Sequence, residues 1–360
     1  MKNIGIVGLG KMGLSHHALF NVHPKVDVVA VCDSTKYLLG VLGKYTDVPT
    51  YSDYGTMLDE ANLDAVVIAT PSRAHTDMAH AALERGLHVF CEKPLTLSAD
   101  ESQSLSDLAD ERGLVTQVGY HNRFVATFRE VKSLLDAGAI GDVTHLFGEA
   151  YGPVVLKPKG GTWRSKRSEG GGCLYDYAAH VINLINWYSS EPIGVCGTVL
   201  PKVFSKDTDD ATFSTLYFSD DKTGQISVYW SDESYRKMTT RVTVWGTAGR
   251  ITVDRQECQV YLRDAALAPD GYRQGWNVRY TTDLTEPTWF YLRGEEYSQQ
   301  VESFVERIET GAVDGLNDFK SASSTDRAIA MMVDDAGGGL NAPGTSDRRP
   351  RRGDRWRKVA

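Results

Sequence analysis

The sequence predicts an α/β protein in two parts: a doubly wound parallel sheet, then an α+β domain with a large open, mostly antiparallel sheet. Three observations predict it. Up to about residue 120, short apolar runs alternate with helical patterns, as a parallel sheet with crossover helices requires. The first of those runs, Ile4-Gly5-Ile6-Val7, leads straight into a glycine-rich turn and a helical pattern. From about Phe124 the pattern changes to alternating runs, which belong to antiparallel strands with one buried face.

In chain order, the first part holds candidate strands at 3–7, 26–32, 65–69, 87–91 and 115–118, with helices over 75–85 and 98–112. Ser98 is placed to cap the second of these, with Glu101 completing a capping box and Asp100 in the acidic first turn. The second part opens with a helix over 125–137 that ends near Gly138, then a longer strand over 143–151. A loop runs through Lys157-Pro158-Lys159-Gly160-Gly161 to Trp163-Arg164, and a helix follows over 173–188. Alternating runs at 194–203, 211–218, 224–232, 238–246, 250–254 and 258–263 read as strands. An amphipathic helix from Glu295 to Glu309 and another from about Phe319 to Val333 complete the pattern.

The turn after the first strand reads Gly8-Leu9-Gly10-Lys11-Met12-Gly13. Gly8 permits the tight turn, Gly10 lets the backbone approach a pyrophosphate, and Gly13 lets the helix pack closely on the strand. The helix N-terminus presents unpaired N–H groups and partial positive charge to that pyrophosphate. The second strand, Val26 to Cys32, ends on Asp33, 20 residues past Gly13, where a carboxylate can accept from ribose hydroxyls. Strand, glycines, helix, strand and acid in this order predict an NAD(P)-binding Rossmann domain. Asp33 repels a 2′-phosphate and favours NAD over NADP. Ser34, Thr35 and Lys36 follow directly, so NADP stays open. The chain divides into an NAD(P)-binding domain over 1–123, a substrate-binding and oligomerisation domain over 124–336, and a basic tail over 337–360.

At 360 residues the chain is long enough for two domains. No apolar run is long enough to span a membrane. The chain enters a core strand directly after Met1-Lys2-Asn3, which leaves no room for a signal peptide and predicts a cytoplasmic location. Cys32, Cys91, Cys173, Cys196 and Cys258 show no paired spacing, so neither a disulfide framework nor a metal site is expected. A nucleophilic Cys173 is the weaker reading beside the acid–base candidates that follow it. Residues 341–360 hold seven Lys or Arg against two acids, so the net charge of −8 hides a more acidic body. A body of that sign is a poor nucleic-acid binder. The tail has little apolar content and is expected to be disordered, with no part in the chemistry.

Two clusters carry chemistry. The third strand ends Ile68-Ala69-Thr70-Pro71, with His75 four residues on, and the fourth runs into Glu92-Lys93-Pro94. Ligands of open parallel sheets bind at the carboxyl ends of the strands, which puts Thr70 and Lys93 on the glycine loop's side. Taken alone, Lys93 reads equally well as a side chain that snorkels to solvent. The second cluster runs Gly170-Gly171-Gly172-Cys173-Leu174-Tyr175-Asp176-Tyr177-Ala178-Ala179-His180. Asp176 and His180 are four apart, on one face of the expected helix. A histidine exchanges protons near neutral pH, and a carboxylate beside it holds its tautomer. The plainer reading makes Asp176 a helix N-terminal acid and His180 a half-buried, hydrogen-bonded ring.

Together these clusters resemble the Gfo/Idh/MocA family of sugar and cyclitol oxidoreductases. The resemblance runs from residue 1 to about 335 and includes Trp245-Gly246-Thr247-Ala248-Gly249. It implies a catalytic Lys93 completed by Asp176 and His180, with Glu92 and His75 beside the nicotinamide ribose. It also implies that Trp163-Arg164 belongs to a loop that reaches across the cleft to the cofactor. Two positions depart from the family pattern: Ala178 stands where glycine is common, and Asn183 where aspartate is common.

The expected activity is hydride transfer between NAD and a secondary alcohol of a sugar, sugar derivative or inositol-type cyclitol. Asp176 is expected to orient both Lys93 and His180, and the proton acceptor is either His180 or Lys93. Tyr120, His121, Asn122 and Arg123 should border the cleft, with His121, Arg123 and Asn183 as substrate contacts. Arg123, Lys157 and Lys159 are candidates for a phosphate or carboxylate. Trp163, Tyr175 and Trp230 are candidates to stack on a ring. The alternatives are a ketoreductase of a nucleotide-linked sugar, a non-sugar alcohol dehydrogenase, and a non-catalytic dinucleotide sensor. An open sheet of this size would bury its free face against another copy, giving a homodimer or homotetramer.

Overall fold

The computed structural model describes residues 1–157 and 161–338. Lys159 and the tail from 339 onward lie outside the described residues. Strands β1 (Lys2–Val7), β2 (Val26–Cys32), β3 (Thr50–Tyr51), β4 (Ala65–Ile68), β5 (His88–Cys91) and β6 (Thr116–Val118) form one parallel sheet. Their order is β3-β2-β1-β4-β5-β6, the doubly wound arrangement whose switch point lies between β1 and β4. Helices α1 (Lys11–Asn21), α2 (Lys36–Leu42), α3 (Tyr54–Glu60), α4 (His75–Glu84) and α5 (Ala99–Glu111) connect the strands. The two-residue β3, α2 and α3 were not legible, because none carries a long periodic apolar pattern. Ser98 caps α5 by accepting from the Glu101 N–H at 3.4 Å. The other half of the expected capping box is replaced: Glu101 accepts from Thr76 Oγ1, and the Ser98 N–H goes to Thr96 Oγ1.

The second sheet contains β7 (Val143–Tyr151), β8 (Gly194–Val199), β9 (Ala211–Tyr217), β10 (Thr223–Tyr229), β11 (Arg241–Gly246), β12 (Gly249–Val253), β13 (Glu257–Leu262) and β14 (Gly275–Tyr280). The order is β14-β13-β12-β11-β7-β10-β9-β8, antiparallel except where β10 runs parallel to β7. β14 escaped the sequence reading because its residues alternate only between half-buried and exposed, so no buried face announces it. Helices α6 (Ala126–Asp136) and α7 (Ala179–Tyr188) pack on the buried side, and α8 (Thr281–Leu284), α9 (Glu295–Thr310) and α10 (Phe319–Gly337) follow the sheet.

One packing relation crosses the division at residue 123. Val301, Phe304, Val305 and Ile308 of α9 share a core with Ile4 and Ile6 of β1, Val28 of β2, Phe90 of β5 and Phe20 of α1. The Phe304 ring stands edge-on to Phe90 at 5.7 Å and to Phe20 at 6.4 Å. Gln300 Nε2 donates to Val118 O, and Arg307 Nη1 donates to Thr116 O. Part of one face of the nucleotide sheet is therefore covered by a helix from the last fifth of the chain. Phe304→Ala is expected to destabilise the protein by about 3–5 kcal/mol, since the ring is fully buried between α9 and the sheet. Urea unfolding of the variant checks this; a loss under about 1 kcal/mol would contradict the packing described.

Candidate active site

The glycine turn is built as its sequence requires. Gly8 has φ +92°, and a Cβ there would lie 2.5 Å from Ala69 O on the next strand. A Cβ on Gly13 would overlap Gly8 O, so only glycine lets α1 seat against the turn. At Gly10, by contrast, a Cβ would meet nothing within 4 Å, so space lies open above the turn beside the α1 N-terminus. Lys11 is exposed there and Met12 half-buried. Asp33 closes the far side: its Oδ2 accepts from the Leu9 N–H at 2.6 Å, and its Oδ1 from the Thr35 N–H at 2.7 Å. Each oxygen keeps a lone pair for a ribose hydroxyl. Ser34 is exposed beside it. Open space, an uncapped helix end and a strand-end carboxylate fit an adenine dinucleotide.

Lys93 leaves the end of β5 through a cis Lys93–Pro94 peptide and meets Asp176 from the other domain. Its Nζ donates to Asp176 Oδ1 at 2.7 Å and to the Asp176 backbone oxygen at 3.0 Å. Asp176 lies in a π-helical turn, Leu174–Ala178, ahead of α7, with the Ala179 N–H reaching back to Leu174 O. Single π turns of this kind recur at functional sites. Asp176 Oδ2 accepts from Arg164 Nε at 3.0 Å. The Lys93 and Asp176 side chains are only 14% and 10% exposed. Burial alone would raise the Asp176 carboxyl, but Lys93 and Arg164 outweigh it and hold it below the usual range.

His180 sits one turn further on, buried, and its ring is not hydrogen-bonded to Asp176. Its neighbours are rings: His121 at 4.9 Å between centroids and Tyr120 edge-on at 5.8 Å. His121 in turn stacks on Tyr297 of α9 at 5.0 Å. Burial, then the charges of Lys93 and Arg255, hold His180 well below the ordinary histidine range, so the ring is neutral at neutral pH. The expectation that Asp176 orients both partners is corrected: its oxygens meet Lys93 and Arg164, and no hydrogen bond joins it to His180.

Other expected contacts have protein partners instead. Arg123 is buried, donating from Nη2 to Asn183 O and from Nη1 to Ser321 Oγ of α10. Asn183 is fully buried and donates to Thr325 Oγ1. Both side chains tie α7 to α10. Glu92 Oε1 meets His16 Nε2 at 2.7 Å, which joins α1 to the β5 end beneath the glycine turn. His75 is buried with its two nitrogens against Pro94 O at 2.8 Å and Thr70 O at 3.0 Å. It braces the turn that carries Lys93. Thr70 and Pro71 stand at the end of β4, Thr70 half-buried with its hydroxyl on Met78 Sδ. Trp230 is a core residue whose Nε1 donates to Asp210 Oδ1, so it is not available to stack on a ligand. Cys173 is fully buried, and burial pushes its thiol well up, which removes it as a nucleophile. Lys157 is exposed. His16, Arg255 and Tyr297 were missed, though His16 lies three residues past Gly13 on the apolar face of α1, which was a usable signal.

Residues 2–120 match the family model described as "Oxidoreductase family, NAD-binding Rossmann fold", and residues 128–252 match the "GFO/IDH/MocA C-terminal domain". The chain belongs to the Gfo/Idh/MocA oxidoreductase family. The rhizopine catabolism protein MocA of Rhizobium meliloti is 25% identical over 342 residues, covering 92% of this chain and 93% of that protein. The NAD(+)-dependent scyllo-inositol 2-dehydrogenase of Bacillus subtilis is 28% identical over 253 residues, 69% of this chain and 72% of that one. Among solved structures, levoglucosan dehydrogenase in complex with NADH and levoglucosan superposes with a TM-score of 0.82 at 22% identity. That alignment covers 94% of this chain and 97% of the other, and it establishes the shared fold.

Six buried or half-buried histidines of this member, His17, His75, His88, His121, His145 and His180, are held below their ordinary range, in each case chiefly by burial. In the unfolded chain they protonate near 6.5, while the folded rings stay neutral, so the unfolded state binds more protons as pH falls. Stability is therefore expected to drop between about pH 7 and 5, before most carboxylates titrate. Urea midpoints across that window check it; a flat or rising midpoint would contradict the neutral histidines.

Proposed function

We propose that this protein interconverts a secondary alcohol and a ketone on a sugar, sugar derivative or inositol-type cyclitol, with NAD as its redox partner. The observation that carries the reading is the buried Lys93–Asp176 pair at the carboxyl ends of the parallel strands, with neutral His180 on the same helical segment. The dehydrogenase names among the relatives support the substrate class.

Gly8, Gly10 and Gly13 with Asp33 would hold NAD, which supplies the hydride acceptor when bound. The residues of the cleft then divide the remaining work. Neutral His180 accepts the hydroxyl proton, and Lys93 donates a hydrogen bond to the same oxygen as negative charge develops on it. Asp176 keeps Lys93 aimed through Oδ1. His121, edge-on to His180 and stacked on Tyr297, lines the apolar wall of the cleft and limits water there. In the reverse direction the same groups protonate the ketone oxygen, so one site serves both directions. All five cysteines are free and four are buried, which suits the reducing cytoplasm.

The outer face of the second sheet carries Phe213, Tyr217, Tyr261, Trp276 and Tyr280, all exposed. They form two aromatic patches near opposite edges of the sheet, on β9 and on β13–β14, with Glu149, Arg241 and Arg250 between them. This mixed face suits burial against a second copy, as a homodimer or homotetramer. Light scattering on the purified protein checks this; a monomer at micromolar concentration would overturn it.

A panel of sugars, sugar acids and inositols at alkaline pH, each with NAD and NADP, is expected to give turnover with a polyol and NAD. Lys93→Met should abolish that turnover and leave the NAD affinity nearly unchanged. Silence across the panel would overturn the reaction, and loss of NAD binding in the variant would overturn the role given to Lys93.

A further inference from the structure

We infer that Arg164 is a positioning residue that locks the Asp176 carboxylate onto Lys93, delivered by a strap pinned to the nucleotide-binding domain. The inference rests on the reading of Lys93, Asp176 and His180 as the reacting cluster. It differs from the role expected of Arg164 as a cofactor contact.

The strap runs from residue 161 to 172 between β7 and α7. Near its start Arg164 reaches Asp176. A Cβ on Gly171 would fall 2.5 Å from Arg164 O and 2.6 Å from Trp163 O, so the strap folds back tightly on itself and holds Arg164 against its own returning half. The Arg164 guanidinium lies over the Trp163 ring at 4.5 Å, which fixes its plane while Nε donates to Asp176 Oδ2. The returning half, just before Gly171, is tied to the turn after β4. Glu169 Oε2 meets Arg73 Nε at 2.8 Å, and Gly170, at φ +80°, sits where a Cβ would lie 3.1 Å from Ser72 Oγ. Ser72 and Arg73 follow Thr70-Pro71, so the strap joins that strand end to the carboxylate.

A carboxylate with one cation is free to rotate and exchange its oxygens. Asp176 has one cation on each oxygen, Lys93 on Oδ1 and Arg164 on Oδ2, and cannot turn without breaking both. The charged and titratable groups facing it are Lys93 from β5, Arg164 from the strap, and Cys173 and Tyr177 on its own segment. Buried Asp209, which accepts from the Leu174 N–H, stands behind them. Arg164 is the cation whose removal leaves the Lys93 contact nominally intact. Without it, burial acts on Asp176 against a single cation, so the carboxyl takes up its proton at higher pH. Lys93 then loses its anchor over a wider acidic range.

Arg164→Gln and Arg164→Lys separate the roles. In Arg164→Gln, kcat is expected to fall at least about tenfold, with the acid limb of the kcat profile moved to higher pH. The NAD dissociation constant by calorimetry should stay within about twofold, and Arg164→Lys should return the acid limb towards its original position. Weaker NAD binding with an unmoved acid limb would overturn the inference and make Arg164 a cofactor contact. A second measurement needs no substrate. In a double-mutant cycle of urea stabilities, Arg164→Gln combined with Asp176→Asn should be clearly non-additive, and additivity would overturn the inference. Absence of turnover in the unsubstituted protein would strike the proposed reaction alone, since the stability cycle stands without it.

Discussion

A buried carboxylate must be paired or it will not stay ionised, and Asp176 is paired from two directions at once. Lys93 arrives from the end of a parallel strand, Arg164 from a strap on the second domain. Breaking one partner of a buried pair typically costs about 3–5 kcal/mol, because the other charge is left stranded. The two sheets are thus held in register at their most sensitive point by a contact that has no slack. The π turn carries Asp176, whose backbone oxygen also accepts from Lys93.

Helix α9 links this chemistry to the core. Its apolar face, with Phe304 at the centre, covers the nucleotide sheet, while its first turn sends Tyr297 to His121 and Glu296 to Arg255. A displacement of the helix would therefore disturb the sheet cover and the wall of the cleft together. A separate cavity of about 170 Å³ opens at this first turn, lined by Arg255, Arg293, Glu295 and Gln299, and Lys93, Asp176 and His180 take no part in its lining.

Much of this was legible in the sequence, for reasons that differ by residue. The glycine turn was legible because Gly8 and Gly13 answer steric demands that no other residue meets. Lys93 and Asp176 were legible as a pair only through resemblance, since 83 residues separate them and neither spacing nor periodicity predicts a 2.7 Å contact. His180 lies on the expected segment but without the expected bond to Asp176, because a spacing of four puts two residues on one helix face without making their side chains meet. The bonds of Arg123 and Asn183 to α7 and α10 were not legible, because a polar residue on a buried helix face looks the same whether it faces a ligand or another helix. β14 was invisible because an edge strand with no buried face has no pattern to show. The apolar stripe of α9 was plain, but a stripe does not name the surface it covers.

That cover comes late in the chain, and this sets the order in which the protein can be made. Chains emerge from the ribosome N-terminus first, and domains usually fold as they appear. Here β1, β2 and β5 are complete by Cys91, yet Val301, Phe304 and Ile308 follow some two hundred residues later. Until they emerge, Ile4, Ile6, Val28 and Phe90 have no helix over part of one face, and the nascent nucleotide domain is an apolar surface in search of a lid. The protein therefore matures as a single unit, and its first domain depends on nearly the whole chain having been synthesised.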